Sequence, residues 1–231
     1  MSEVMNMPLT NQVADVLPPM NITDINTGLY DVICNANIEQ QSFDDYKLQQ
    51  LSMYDRDNVP YEYTEDQLNC LIRLKLDAVI NAGADVNARF KFDNTALMYA
   101  SEGSLFAAKL LIERGADVNA IGNFGSNALF VAIGNMQNQI VELLIQNGAN
   151  TCSESTSTLN NGRFNSSPIV YAVAVNNLTA VKLLLDNGVE VNTIDEDGRT
   201  PLGVATQLKS SDMCDLLIER GATLPDQSEN A

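Results

Sequence analysis

The sequence predicts an all-α fold, an extended solenoid of stacked helix–turn–helix units. Three observations carry this. Glycines that follow apolar runs recur at Gly83, Gly115, Gly148, Gly188 and Gly221, at intervals of 32, 33, 40 and 33 residues. A second series, Thr95, Asn127, Ser167 and Thr200, keeps step with intervals of 32, 40 and 33. Between the markers lie apolar stretches with helical spacing. Both series lengthen between the same two units, which defines a repeat of about 33 residues with seven inserted once.

Each element of the unit has a physical reason. Thr95, Asn127, Ser167 and Thr200 differ in identity but share the ability to accept a hydrogen bond from a free N–H at a helix start. Pro168 and Pro201 follow two of them, at the first helical position, where a missing N–H costs nothing. A short apolar helix comes next, as in "ALMYAS" or "PIVYAVAV". The second helix carries the spacing of "FAAKLLIERG", "IVELLIQNG", "AVKLLLDNG" and "MCDLLIERG". Its closing glycine turns the chain left-handed. Asn87, Asn119 and Asn192 stand four residues past a glycine, where an Asx-type turn would open the next connection.

The segments "GADVNA" at 83–88 and 115–120, "NTALMYA" at 94–100 and "DGRTPLGVA" at 197–205 resemble ankyrin repeats. Four units stand out, at about 93–119, 125–150, 166–192 and 198–224, with a loop insertion at 151–165. A degenerate unit at 64–87 precedes them, with Thr64 and Gln67 at capping-box spacing. Histidine, usual after the TPL triplet of this family, is absent. Met98, Phe130, Val170 and Gly203 stand in its place, so packing must replace its buried hydrogen bond.

One such unit cannot bury its apolar faces alone, and the end units need polar outer faces. "RGATLPDQSENA" supplies one end, with a tail at 225–231. Residues 1–63 are expected to cap the other as a helical region. Within them, 24–37 and 43–54 read as a helix pair and 1–20, with Pro18-Pro19, as an extended arm.

Composition narrows function. The 231 residues carry 13 basic and 30 acidic side chains, a net charge of −17. Such a charge repels phosphate, so nucleic acid and anionic membranes are excluded as partners. A basic protein partner fits the long-range field, and solubility of an exposed scaffold explains the acids equally. No apolar run approaches the ~18 residues of a membrane span. No Lys or Arg precedes Lys47, so neither a secretory signal nor a transit peptide fits. Cys34, Cys70, Cys152 and Cys214 form no paired motif, which points to a reducing, cytoplasmic compartment. Without histidine there is no Ser-His-Asp or Cys-His pair and no histidine metal site. "GNFGSN" at 122–127 lacks the P-loop lysine, and "DEDG" at 195–198 lacks the later ligands of a calcium loop. No enzyme activity, cofactor or metal is expected.

The resemblance implies that the connections project as hairpin-like fingers. Fingers and first helices would line a concave face that binds protein, the chain being monomeric when free. Three residues before each helix start stand Phe92, Phe124, Phe164 and Asp197. Stacked units would set these in a row ~10 Å apart. The rings would either lean on the next finger or form an exposed aromatic row for a partner. Arg89, Lys91, Arg163 and Arg199 flank the row, with Asn94, Asn123 and Glu196 beside it. On the first helices, Tyr99, Glu102, Asn135, Val175 and Gln207 are expected at the groove. The Ser/Thr/Asn-rich stretch 150–167 reads as a long loop, tolerated or functional. The function expected is a non-enzymatic protein-binding module. Two alternatives share the architecture: an acidic immunity or antitoxin protein neutralising a basic toxin, and a bacterial effector acting in a host cell.

Overall fold

The computed structural model describes residues 29–33, 65–122, 125–151, 167–195 and 197–223. They form ten helices: α1 (29–33), α2 (Glu65–Asn81), α3 (Ala96–Ala100), α4 (Leu105–Glu113), α5 (Ala128–Gly134), α6 (Asn138–Gln146), α7 (Pro168–Ala174), α8 (Leu178–Asp186), α9 (Pro201–Gln207) and α10 (Ser211–Glu219). All but α2 have nine residues or fewer, too short to persist alone in water. Their stability comes from stacking. First helices pack in the order α3, α5, α7, α9, and second helices in the order α2, α4, α6, α8, with α10 against α9.

The core is one continuous apolar cluster running from Leu29 to Ala222. Leucine and isoleucine fill it at Leu97, Leu111, Leu129, Ile133, Ile140, Leu144, Ile169 and Leu184. Alanines at 96, 100, 107, 108, 128, 132, 172 and 180 let helices approach closely. Each fully buried leucine or isoleucine contributes roughly 1.5–3 kcal/mol.

Helix starts follow the expected chemistry at three of four positions. Thr95 Oγ1 accepts from Met98 N, Asn127 Oδ1 from Phe130 N, and Thr200 Oγ1 from Gly203 N. Ser167 departs from this. Its φ of −56° differs from that of the other three, and its buried hydroxyl has no partner among the described residues. Second helices close in left-handed glycines, with φ from 82° to 101° at Gly83, Gly115, Gly148, Gly188 and Gly221. The residue after each glycine donates five residues back, for example Ala116 N to Leu111 O at 3.0 Å.

Between first and second helices, Met136, Asn176 and Lys209 also turn left-handed, at φ near 55–58°. From the start of α3 to the start of α4 the chain is one residue shorter than in the other units, and the connection closes without such a residue, Ser104 N donating to Ala100 O. This deletion is why the first glycine interval is 32 rather than 33.

The asparagines past the glycines do something different from the expected Asx turn. Asp85 and Asp117 make those turns, their carboxylates accepting from Asn87 N and Asn119 N. Each asparagine instead clamps the next unit. Asn87 Nδ2 donates to Gly115 O and its Oδ1 accepts from Asp117 N. Asn119 repeats this with Gly148 O and Asn150 N, and Asn192 with Gly221 O and Thr223 N. The position past Gly148 is Cys152, which has no carboxamide, so the series skips the junction that holds the insertion.

Packing does replace the missing histidine. Met98, Phe130 and Val170 are buried, and Gly203 is half-buried. Across the insertion junction, buried Asn177 Nδ2 donates to Ile133 O while its Oδ1 caps α8 through Ala180 N.

Within the degenerate unit at 64–87, the described residues form a single helix and its closing turns. Residues 65–81 are one unbroken helix of 17 residues, beside α4 in the second-helix row. Tyr30, on α1, sets its ring 4.9 Å edge-on to Tyr99 of α3 and 5.5 Å from Phe90. Thus α1 lies against the first-helix row, with Leu29 and Ile33 fully buried. The expected helix at 43–54, the arm at 1–20, the capping box at Thr64 and the tail at 225–231 lie outside the described residues.

Replacing Asn119 with alanine removes two inter-unit hydrogen bonds at an exposed site. A loss of roughly 1–2 kcal/mol is expected, read as a lower urea midpoint by circular dichroism.

Candidate functional site

The fingers are hairpins closed by short backbone bonds. In the first, Arg89 and Thr95 form an isolated antiparallel bridge and Phe90 N donates to Asn94 O at 2.9 Å. The second and fourth keep the same register, through Gly122 N to Ser126 O at 2.8 Å and Asp195 N to Arg199 O at 3.0 Å. The fourth turns on Gly198, at φ 75°. In the first finger, Asp93 holds that place at φ 59°, and Phe92 before it has φ 61°. Left-handed backbone costs a non-glycine residue roughly 1–2 kcal/mol. Three groups brace the loop. Tyr99 Oη donates to Lys91 O at 2.7 Å, Arg89 donates to Asp93 O, and Asp93 N donates to Phe90 O.

The result is an exposed aromatic on a strained tip. Phe92 is 58% exposed, with Lys91 Nζ 5.2 Å from its ring centroid. Ile121 and Ile194, three positions earlier in the second and fourth fingers, where the first finger has Arg89, are also exposed, Ile194 by 59%. Arg89 and Arg199 are engaged internally. Arg89 donates to Ile121 O of the next finger and pairs with Asp93 at 3.5 Å. Arg199 pairs with Asp195 at 2.8 Å and Asp197 at 2.9 Å. Adjacent fingers also touch at Gly122, where a Cβ would collide with Asn94 Oδ1, so Asn94 braces the row from within.

Beneath the fingers, an open cleft of about 320 Å³ lies between successive first helices. Its lining is Glu102, Ser126, Phe130, Val131, Gly134, Asn135 and Tyr171. The Phe130 and Tyr171 rings are 5.3 Å apart and tilted by 60°. Gly134 makes room for this, because a Cβ there would stand 2.6 Å from the Tyr171 hydroxyl. Asn135 Nδ2 donates back to Val131 O at 2.9 Å. Burial pushes the Glu102 carboxyl above its ordinary value of 4.5, and pushes the Tyr171 phenol up likewise.

The structure brings together two of the five expected groove residues, Glu102 and Asn135. Val175 is half-buried and packs on the core, and Gln207 is exposed at the end of α9. Tyr99 does not line the groove. It is 8% exposed, because Tyr30 and Phe90 cover its ring and Lys91 O holds its hydroxyl. Asn123, Phe124, Arg163, Phe164 and Glu196 lie outside the described residues, as does most of the 150–167 loop. Tyr171, Phe130 and Val131 were missed, as were Ile121 and Ile194. A signal existed for one: Tyr99 and Tyr171 stand at the same offset from their helix starts.

Among the described residues, no group of three or more His, Cys, Asp or Glu side chains could hold a metal, and no helix is long and apolar enough to cross a membrane. Cys70 and Cys214 are half-buried free thiols. Ten of the 30 acidic residues precede residue 65, where only two basic residues stand, so much of the negative charge belongs to the N-terminal region and not to the cleft.

Stacked helix pairs, a spine of buried alanine and leucine, and projecting hairpins define a helical-repeat solenoid. A family model of ankyrin repeats, in three copies, matches residues 65–155 and 152–228. With more than half of the chain matched, this protein belongs to the ankyrin-repeat family. Ankyrin repeats are generally protein–protein interaction modules, and the fold is typically non-enzymatic.

Glu102 supplies a pH test. Its folded pKa is raised, so its ionised form disfavours the folded state above that pKa and has no such effect below about 4.5. Glu102→Gln is therefore expected to unfold at higher urea than the parent at pH 7. The gap should close as pH falls below about 4.5.

Proposed function

We propose that this chain is a non-enzymatic module that binds a protein partner on its concave side, through the finger tips and the first-helix groove. The observation that carries this reading is Phe92. A large aromatic is held 58% exposed on a left-handed backbone, and several side chains brace that conformation. Strain of this kind persists where the exposed geometry is itself used. Exposed aromatics at an interface centre often contribute ~2 kcal/mol or more each. Exposed Ile121 and Ile194 extend the apolar tip surface along the row.

The partner would approach the tips as a protein surface or extended segment and descend between them toward the cleft. A partner of basic character suits the net charge of −17. Concentration of ten acids before residue 65 makes that attraction a long-range contribution to encounter, lost with added salt.

The test places a photo-crosslinking residue at position 92, or at exposed Lys109 on α4 as a control, and identifies the protein captured in cells of the source. Phe92→Ala is then expected to weaken that partner about 30-fold, the equivalent of ~2 kcal/mol, with an unchanged melting temperature. Lys109→Ala should leave affinity unaltered. Equal capture at both positions, or full affinity for Phe92→Ala, would refute the proposal.

A further inference from the structure

We infer that the cleft between α3, α5 and α7 is a receptor for a single arginine side chain of the partner. This rests on the reading of the concave side as an interface and names what its deepest point takes.

Three features specify the occupant. The first is an unneutralised acid. Among the described lining residues Glu102 is the only carboxylate, and no described cation pairs with it. Glu102 is exposed at the cleft, and partial desolvation there already disfavours its charge, so a cation brought beside it offsets that penalty. The second is a neutral acceptor. Asn135 commits its amide nitrogen to Val131 O, and its side-chain oxygen has no partner among the described residues. The third is the wall. The Phe130 and Tyr171 rings stand 5.3 Å apart, with Val131 beside them.

A carboxylate, a carbonyl-type oxygen and the part-exposed Tyr171 ring, backed by buried Phe130, around about 320 Å³ suit a flat cation with several donors. A guanidinium meets all three at once: it forks onto carboxylate and amide oxygens and stacks on aromatic rings. An ammonium offers a point charge without the stacking plane. An acidic or phosphorylated side chain would be repelled by Glu102.

Gly134 is exposed beside the cleft, and its lack of a side chain seats the Tyr171 hydroxyl. An aliphatic stem would lie along Phe130 and Val131 while the charged end reaches Glu102.

The experiment uses the full chain, isotopically labelled, titrated with acetyl-Gly-Arg-Gly-amide and with the same peptide carrying citrulline, the neutral isostere. Shifts are read at the Asn135 side-chain amide and the Tyr171 and Phe130 rings. The arginine peptide should shift these signals with an affinity at least tenfold above that of the citrulline peptide. Glu102→Gln should abolish that difference, while Glu142→Gln, at an exposed acid on α6, should preserve it. Equal responses to both peptides, shifts centred elsewhere on the acidic surface, or an unaltered response in Glu102→Gln would each overturn the inference. If the cleft stays silent while Phe92→Ala still weakens the crosslinked partner, the arginine receptor fails and the interface stands. If the cleft responds but Phe92→Ala has no effect, the converse holds.

Discussion

Everything in this molecule depends on burial between neighbouring helix pairs. No unit closes a core alone, because its helices of five to nine residues are apolar on the faces that meet the next pair. Stability is therefore a sum over junctions, and each junction must satisfy the backbone groups that it removes from water. The left-handed glycines and the asparagine clamps do this together. A glycine frees a carbonyl at the end of one second helix, and the asparagine of the preceding unit takes it up. Apolar contact holds the stack, and these polar bonds set its register.

The concave side follows from that register. Once the first helices align, the fingers fall in sequence, and Arg89 and Asn94 of one finger meet the backbone of the next. The same alignment brings Phe130 to Tyr171 across 41 positions of sequence, creating a cleft that neither unit owns. A binding surface made this way is assembled by the fold at no cost to any single unit's core.

Much of the architecture was legible because periodic features are local. Glycine spacing, helix-start residues and prolines each report on a few neighbouring bonds, and they mark the units directly. Glu102 and Asn135 were legible for the same reason, being fixed by phase within one helix–turn unit. What escaped depends on partners distant in sequence. Tyr99 reads as a groove residue until Tyr30 is known to cover it. The bridging role of Asn119 requires knowing that Gly148 O lies within 2.9 Å. The degenerate unit at 64–87 carries a single helix of 17 residues, and residues 29–33 lie against Tyr99 and Phe90 with no repeat marker of their own. The cleft combines residues from three units, and spacing within one unit says nothing of it.

The junction that holds the insertion joins its two sides differently from the rest. Cys152 takes the place where other units have a clamping asparagine, and the polar tie there passes through Asn177 to Ile133 O instead. Helix packing continues across this seam, α5 on α7 and α6 on α8, so the junction keeps its apolar contact and changes its polar fastening. The Phe130–Tyr171 cleft straddles it. A group seated there would touch helix pairs on both sides of the seam and so resist their parting.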